Sequence, residues 1–261
     1  MTKVTIIVVG ILATLFATWM LVFYLTTTEW TVNRFRELVP TLYMHLNWNS
    51  TKQSFTTPQG DLIRLDPSDK VVCGMMRGGH EWEYFMQQYI MRYASKDAIS
   101  LDVGANIGVH AITMAKYSKR VIAFEPQPHV AQILRENVGH FGNVEVREVA
   151  LGDTENDMYL EPAGDNVGNV AVSATRTARK ATQITLDSLD FGPDVIGLMK
   201  IDIEGYEPQM LKGAMETIRK HKPVILLEDF VRSRSALEAI GYKSRRISRH
   251  DYLLVWRPSK P

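Results

Sequence analysis

The sequence has a single cysteine, almost no net charge and no internal repeat. Cys73 is the one cysteine among 261 residues, so no disulfide can form within the chain. The formal net charge is +1 at pH 7, which gives no electrostatic reason to expect a nucleic acid as partner. No segment repeats and none is of low complexity. Any specific function must therefore be read from local motifs.

A complete dinucleotide-binding pattern is also absent. Residues 104–108 read Gly-Ala-Asn-Ile-Gly and keep only the first and last small positions of G-x-G-x-x-G. Asn106 stands where a glycine would let a pyrophosphate approach the backbone. This substitution disfavours a nicotinamide-dependent enzyme.

The N-terminus contains a long run without charge. Residues 4–25 are uncharged and mostly apolar, and about 20 such residues span the hydrocarbon core of a bilayer. A cleaved signal peptide is the alternative, but its apolar core is usually shorter and ends in small residues, whereas Phe23 and Tyr24 are bulky. We therefore predict a transmembrane anchor at residues 1–28, a stem at 29–58 and a globular domain at 59–261.

The orientation of this anchor is not fixed by charge. Lys3 precedes the apolar run, whereas Arg34 and Arg36 follow it, so the positive-inside rule favours neither side. Residues 49–51 (Asn-Ser-Thr) form a glycosylation sequon just beyond the run. The sequon favours a type II arrangement, with the globular domain in a lumen.

The globular part alternates between apolar strands and amphipathic helices. The strands are predicted at about 98–103, 120–125, 144–150, 197–203 and 223–228, and the helices at 108–117, 128–139, 207–220 and 233–240. This alternation predicts an α/β fold whose mostly parallel sheet is covered on both faces. Two apolar runs close together at 242–247 and 252–256 predict a terminal antiparallel hairpin. The segments 61–65 and 71–76 predict a second, N-terminal pair of strands, and residues 81–93 have helical spacing. The Gly- and Asn-rich stretch at 153–182 fits a lid, a substrate loop or a strand insertion.

Two consecutive strand ends predict a site for an adenosine-bearing cofactor. The run LDVGANIG at 101–108 is a strand that enters a glycine turn and then a helix, where free N–H groups face a ligand. The next strand ends in Glu125, and an acid there suits the two hydroxyls of a ribose. S-adenosylmethionine (SAM) has no phosphates and does not need the missing glycine, and Asp102 suits its ammonium group.

A third strand end brings acidic side chains to the same edge. Residues 200–205 read KIDIEG, and alternate positions of an extended strand share one face. Lys200, Asp202 and Glu204 therefore share a face if the strand continues. Charges within an apolar strand are costly unless they are paired or functional, so we place Asp202 and Glu204 at the reacting centre.

These motifs together resemble the FkbM family of SAM-dependent methyltransferases. The resemblance covers residues 80–255 and is carried by several runs. They are LDVGANIG (101–108), FEP (124–126), ALGD (150–153), TLDSL (185–189), KIDIEGYE (200–207), LKGA (211–214) and PVILLE (223–228). It implies a Rossmann-like class I methyltransferase with a mostly parallel seven-stranded sheet, and O-methylation, often of sugars or glycans. An Asp-Ile-Glu-Gly turn, rather than Asn-Pro-Pro-aromatic, favours an oxygen acceptor over a planar amine.

The resemblance assigns a role to each candidate residue. On this resemblance, the methionine half of SAM would be bound by Asp102, Gly104, Asn106 and Gly108. The ribose would be bound by Glu125, and the adenine would pack against Ala150 and Leu151. A hydroxyl acceptor needs a general base. Asp202 is the first candidate and Glu204 the second, although Glu204 is nearly as well suited to orienting the turn at Gly205.

Three alternatives stay open. A divalent metal is not favoured, but Asp202, Glu228 and Asp229 would be its candidate ligands. The second alternative is that the chain is a non-catalytic, membrane-tethered SAM-fold binding module. The third is a lipid or small-molecule O-methyltransferase at the bilayer surface. The acceptor, the organelle and the oligomeric state are not readable from the sequence.

Overall fold

The computed structural model describes Phe16 and residues 53–162, 170–172, 179–229 and 233–257. The predicted anchor, apart from Phe16, and the stem up to residue 52 lie outside the described residues, as does the sequon. Within the described ranges, no helix combines the length and the apolar character that crossing a bilayer requires.

Thirteen strands are described. In chain order they are β1 (Ser54–Thr56), β2 (Leu62–Arg64), β3 (Ile99–Val103), β4 (Arg120–Phe124), β5 (Val144–Arg147), β6 (Ala150–Leu151), β7 (Asn156–Pro162), β8 (Val170–Val172), β9 (Arg179–Ile184), β10 (Ile196–Ile201), β11 (Val224–Glu228), β12 (Tyr242–Arg246) and β13 (Asp251–Trp256).

Seven α-helices lie between these strands in the described part of the chain. They are α1 (Val72–Arg77), α2 (Tyr84–Tyr93), α3 (Val109–Tyr117), α4 (Pro128–Val138), α5 (Glu207–Lys212), α6 (Met215–His221) and α7 (Ser235–Glu238).

The main sheet has seven strands in the order β12-β13-β11-β10-β3-β4-β5. Its central strands are parallel to one another, and β13 is antiparallel to both β11 and β12. The predicted parallel sheet with a C-terminal antiparallel hairpin is therefore confirmed. The chain runs outward from β3 to β5 and returns to place β10 on the other side of β3. Ligands of such sheets bind where the strand order reverses, beyond the carboxyl ends of the strands.

Helices cover both faces of this sheet. Ile99, Leu101 and Val103 of β3 pack in a buried cluster that includes residues of α5 and α6. On the other face, Leu198 of β10 and Leu226 of β11 share a cluster with residues of α2, α3 and α4. Burial of one such side chain contributes about 2 kcal/mol. Burial on both faces explains why these strands read as nearly continuous apolar runs.

The stretch at 153–182 adds a second sheet. Strands β6, β9, β7 and β8 form a four-stranded sheet in that order. Of the three interpretations of this stretch, the strand insertion is confirmed, while residues 163–169 and 173–178 lie outside the described residues. Met158 and Leu160 of β7 pack in a small buried cluster of their own.

The N-terminal strand pair is only half as predicted. Residues 61–65 contain strand β2 as predicted, but β2 pairs with the unpredicted β1 in an antiparallel hairpin. Residues 71–76, predicted as the second strand, fall mostly in helix α1 instead. The Asp69 carboxylate accepts the N–H of Val71 at 2.7 Å and so favours a turn there. Val72, Cys73 and Met76 are then buried on one helical face.

One long predicted helix is divided in two. Residues 207–220 form α5 and α6, which are separated at Gly213. A Cβ at Gly213 would lie 1.9 Å from the carbonyl oxygen of Gly152, so the turn after β6 approaches the backbone here directly. This contact between segments far apart in the chain is invisible to helical periodicity.

Candidate functional site

The turn after β3 is built on backbone conformations that favour glycine. Gly104 has φ 81°, Asn106 φ 48° and Gly108 φ 95°, and glycine or asparagine adopts this left-handed region at least cost. A Cβ at Gly104 would lie 1.8 Å from the Asp202 carbonyl oxygen. The absence of a side chain at residue 104 therefore lets the ends of β3 and β10 meet.

A cavity of about 300 Å³ opens beyond these strand ends. Most of the predicted site residues line it: Gly104, Asn106, Glu125, Ala150, Leu151, Asp202 and Glu204. Phe124, Met158 and Leu160 add apolar surface on the side of Ala150 and Leu151. The cavity thus has an apolar wall and several carboxyl groups, as expected of a small-molecule site.

Glu125 is held at the end of β4 by two backbone groups. Its Oε2 accepts the N–H of Asn106 at 3.1 Å, and its Oε1 accepts the N–H of Gln127 at 3.0 Å. Burial raises the pKa of Glu125 to about 7, although these two hydrogen bonds oppose the rise. The Gln127 side chain also hydrogen-bonds this carboxylate. A carboxylate has about four lone-pair sites, so capacity is left to accept a hydroxyl of a ribose.

Two predicted cofactor residues lie behind the cavity wall. Asp102 is fully buried, and neither of its carboxylate oxygens has a hydrogen-bond partner among the described residues. Burial raises the pKa of Asp102, while the nearby Lys200 opposes the rise. A Cβ at Gly108 would lie 2.6 Å from Leu134 Cδ1, so this glycine allows α3 to pack against α4. Neither residue lines the cavity.

Asp202, just beyond the end of β10, is paired with a lysine of that strand. Lys200 Nζ lies 3.0 Å from Asp202 Oδ2, and Lys200 is 2% exposed. Burial opposes both charges, but each stabilises the other. The pKa of Asp202 is lowered to about 2 by Lys200 against the effect of burial. The pKa of Lys200 is raised because Asp202, Asp102 and the half-buried Glu83 outweigh its burial.

The three candidate metal ligands do not converge. Burial and the charge of Asp202 raise the pKa of Glu228, so Glu228 is protonated at neutral pH and donates a hydrogen bond to Asp202. Asp229 points elsewhere: its Oδ1 accepts the Ser233 hydroxyl at 2.8 Å and its Oδ2 contacts Arg234 at 2.7 Å. Within the described ranges, no three His, Cys, Asp or Glu residues are grouped to hold a metal ion.

Glu204 lies in a left-handed turn rather than on an extended strand. Strand β10 ends at Ile201, and Glu204 has φ 55°. Glu204 is exposed and also lines the cavity. Its pKa is raised to about 7, mainly by partial desolvation and to a lesser extent by the negative charge of Asp202. The hydrogen bonds of the turn come from the buried Glu207, whose Oε1 accepts the N–H groups of Gly205 at 3.0 Å and Ile203 at 3.3 Å.

Two further polar residues, Glu83 and His110, reach the cavity without having been assigned a role. Glu83 precedes α2 with φ 43°, and its Oε2 lies 3.1 Å from His110 Nε2. Burial, followed by the charge of Lys200, lowers the pKa of His110 to about 3, so the imidazole is neutral. The position of His110 just after the glycine turn was a usable signal, but no pattern in the sequence places Glu83 beside it.

Comparison with known proteins agrees with this geometry. Residues 102–245 match the family model of the methyltransferase FkbM domain. The chain is 29% identical over 140 residues to the hexuronic acid methyltransferase AglP of Haloferax volcanii, covering 52% of this chain and 58% of that protein. It is 23% identical over 163 residues to the 2-O-methyltransferase NoeI of Sinorhizobium fredii, covering 51% and 64%. The chain thus spans less than two thirds of these relatives.

Among solved structures, the methyltransferase FkbM of Methylobacillus flagellatus is similar to this chain at 16% identity and a TM-score of 0.45, covering 87% of this chain and 61% of that one. The family match covers more than half of the 261 residues, including the glycine turn and the strand end that carries Asp202. The chain belongs to the FkbM methyltransferase family.

Proposed function

We propose that this protein is a SAM-dependent O-methyltransferase that acts on a hydroxyl group of a sugar or glycan. The observation that carries this proposal is the junction of β3, β4 and β10. There a carboxylate suited to a ribose, Glu125, shares one cavity with a carboxyl group that titrates near neutral pH, Glu204. Two relatives are named for hexuronic acid methylation and for 2-O-methylation, which supports a hydroxyl of a sugar as acceptor.

The residues of the cavity fit SAM. Glu125 keeps lone-pair capacity for a ribose hydroxyl, the turn at Gly104 and Asn106 brings backbone without a covering side chain to the cavity, and Ala150 and Leu151 offer apolar surface to the adenine. Asp102 is buried behind this wall. We therefore propose that Asp102 acts on the methionine half of SAM electrostatically and does not contact it. Bound SAM supplies a methyl group on a positively charged sulfur.

In the methyl transfer, a side chain of this protein must accept the proton of the attacking hydroxyl. A general base works best when its pKa lies near the operating pH. Asp202, the first candidate from the sequence, has a pKa of about 2 and is committed to Lys200. Glu204 has a pKa of about 7 and lines the same cavity. We therefore propose Glu204 as the base and Asp202 as the residue that sets the charge around it.

Transfer of a labelled methyl group from SAM to methyl glycosides tests this assignment. We expect kcat/KM to fall as the pH drops below about 7, because the base is then protonated. Glu204→Gln should lower kcat about 100-fold or more and remove this acidic limb. Glu155→Gln, at an exposed position outside the cavity, should change neither. If Glu204→Gln keeps the wild-type dependence of kcat/KM on pH while Asp202→Asn abolishes turnover, the base is Asp202.

The same assay separates the alternative functions. A non-catalytic binding module would gain thermal stability from SAM, since a ligand of the native state stabilises it, yet would transfer no methyl group to any fraction. A lipid methyltransferase would label the lipid fraction of a membrane extract and leave the glycans unlabelled. Label in the glycan fraction supports the proposal.

We also propose that residues 1–28 anchor the protein, with residues 29–58 as a stem and the domain at 59–261 in a lumen. The uncharged run at 4–25 and the sequon at 49–51 support this arrangement. We expect the full chain to stay in the membrane pellet after alkaline extraction and its domain to resist added protease until detergent is present. A chain released into the lumen without its first residues would indicate a cleaved signal peptide.

A further inference from the structure

The wall of the cavity around Asp202 is rich in carboxyl groups. Besides Asp202, the side chains of Glu83, Glu204 and Glu228 line it, and they come from three different parts of the chain. Lys200 is the one lysine or arginine among the lining residues that the structure describes. Glu228 is protonated and adds no charge, so an acceptor that enters this end of the cavity at pH 8 meets the carboxylates of Asp202, Glu83 and Glu204.

Neither of the two nearby basic side chains, Lys200 and His110, can pair with an anionic acceptor. Lys200 is paired with Asp202 at 3.0 Å and is almost fully buried. His110 is neutral at physiological pH, because burial and then Lys200 lower its pKa, so its contact with Glu83 does not cancel the charge of that carboxylate. Among the described lining residues, a carboxylate on the acceptor would find no free positive side chain at this end, and burying an unpaired charge is costly.

The carboxyl groups of Glu83 and Glu204 are affected both by burial and by their closeness to Asp202. Burial, followed by the charge of Asp202, raises the pKa values of Glu83 and Glu204 to about 7. Each of these groups is thus already disfavoured as an anion beside Asp202, and a further negative charge would oppose their ionisation more strongly.

A buried acceptor atom points independently to the kind of ligand. His110 is 5% exposed and lines the cavity. Its Nε2 faces Glu83, and its Nδ1 has no hydrogen-bond partner among the described residues. When Nε2 carries the proton and donates it to Glu83, Nδ1 is an acceptor that requires a donor. A hydroxyl or an ammonium group supplies such a donor, so the group of the ligand that meets His110 is not a carboxylate.

We propose that the acceptor is a neutral or amine-bearing sugar rather than an acidic one, and that Glu83 is a residue that excludes the acidic sugar. This inference rests on the proposed function. Glu83 precedes the family match at 102–245, so its part of the wall is not supplied by the matched segment. The relative from Haloferax volcanii is named for a hexuronic acid, and we expect this chain to differ from it in acceptor charge.

Three matched acceptors test the inference: the methyl glycosides of glucose, glucosamine and glucuronic acid, assayed at pH 8 with labelled SAM. We expect kcat/KM for the better of the first two to exceed that for the glucuronide by about tenfold or more. Glu83→Gln keeps the shape of the side chain and should narrow this ratio at least about threefold. Glu155→Gln, at an exposed site outside the cavity, should leave the ratio unchanged.

The outcomes separate this inference from the function on which it rests. Equal or faster methylation of the glucuronide by the wild-type chain overturns the inference and leaves the proposed function standing. A wild-type preference that Glu83→Gln does not alter, in a variant that melts like the wild type, overturns the role of Glu83. If Glu83→Gln unfolds, Glu83→Met, which also removes the charge and is of similar size, replaces it in the same comparison. Transfer to none of the three sugars, with SAM bound, counts against the proposed function and the inference together.

Discussion

Gly104 shows how one missing side chain shapes the site. It has a left-handed φ of 81°, and a Cβ there would overlap the carbonyl oxygen of Asp202 at 1.8 Å. Strain from φ alone costs about 1 kcal/mol, whereas a clash with backbone forces two strand ends apart.

We therefore expect Gly104→Ala to lower the free energy of unfolding by about 3 kcal/mol or more and to abolish SAM binding. The matched control is Gly60→Ala, which has φ 89° but meets no atom within 4 Å and should lose only about 1 kcal/mol. Urea unfolding of both variants, with SAM binding by calorimetry, measures the difference. Equal losses at the two glycines would show that the contact with Asp202 has no energetic weight.

At the residue scale, the sequence correctly predicted the position of residues that local geometry brings to the cavity. Gly104, Asn106 and Glu125 follow from a strand, a turn and the next strand end, and all line the cavity. Asp102 lies on the same motif but is buried behind the wall. The sequence does not show on which side of the strand end the cavity opens, so this difference was not predictable. Glu83 depends on packing between distant segments and had no local signal.

A carboxylate from another segment caps helix α6. Its first residue follows Ala214, whose side chain cannot cap the helix, and Asp187 supplies the missing acceptors. Asp187 Oδ1 accepts the N–H of Thr217 at 2.7 Å, and Oδ2 accepts that of Glu216 at 3.1 Å. The TLDSL motif of the sequence analysis therefore has a structural use.

We expect Asp187→Ala to cost about 1–2 kcal/mol of stability, as loss of a helix cap does, and to leave SAM affinity unchanged. Asp97→Ala, at an exposed position, is the control and should stay within about 0.5 kcal/mol of the wild type. Thermal and urea unfolding give the stabilities, and titration with SAM gives the affinity. A loss of SAM affinity in Asp187→Ala would show that this cap also supports the cavity.

At the scale of elements, apolar runs were sufficient for the strands of the main sheet. The errors occur where a contact between segments overrides the local pattern. Helix α1 replaces a predicted strand where Asp69 favours a turn, and Gly213 divides a predicted helix where the backbone of Gly152 approaches. Periodicity contains no information about either contact.

For the whole molecule, buried carboxyl groups govern the dependence of stability on pH. Burial raises the pKa of Asp69 to about 6 and of Glu125 and Asp251 to about 7. A carboxyl whose pKa is higher in the folded state binds more protons there, so its contribution to stability falls as the pH rises towards the folded pKa. Neutral His110 acts in the opposite sense between about pH 3 and 6.5, since its folded pKa is lowered.

We expect the free energy of unfolding without SAM to be about 2 kcal/mol lower at pH 8 than at pH 6. Urea unfolding of the full chain in one detergent at the two pH values measures the change. A chain equally stable at both values, or more stable at pH 8, would contradict the raised pKa values of the buried carboxyls.

The order of the main sheet was predictable from the alternation of strands and helices together with the family resemblance. The position of residues 53–94 was not, because the match begins at residue 102 and nothing in the earlier segment shows which part of the sheet it meets. The structure places Trp82 and Glu83 of this segment in the wall of the cavity.

This division of the wall has a consequence for how such enzymes diversify. The turn at Gly104 and the carboxylate at Glu125 lie in the matched segment, whereas Trp82 and Glu83 lie before it. We therefore expect mutations in the earlier segment to alter which acceptor is used while the part of the wall at Gly104 and Glu125 stays intact. A graft of residues 53–94 from a relative with a different acceptor is expected to transfer the acceptor preference of that relative.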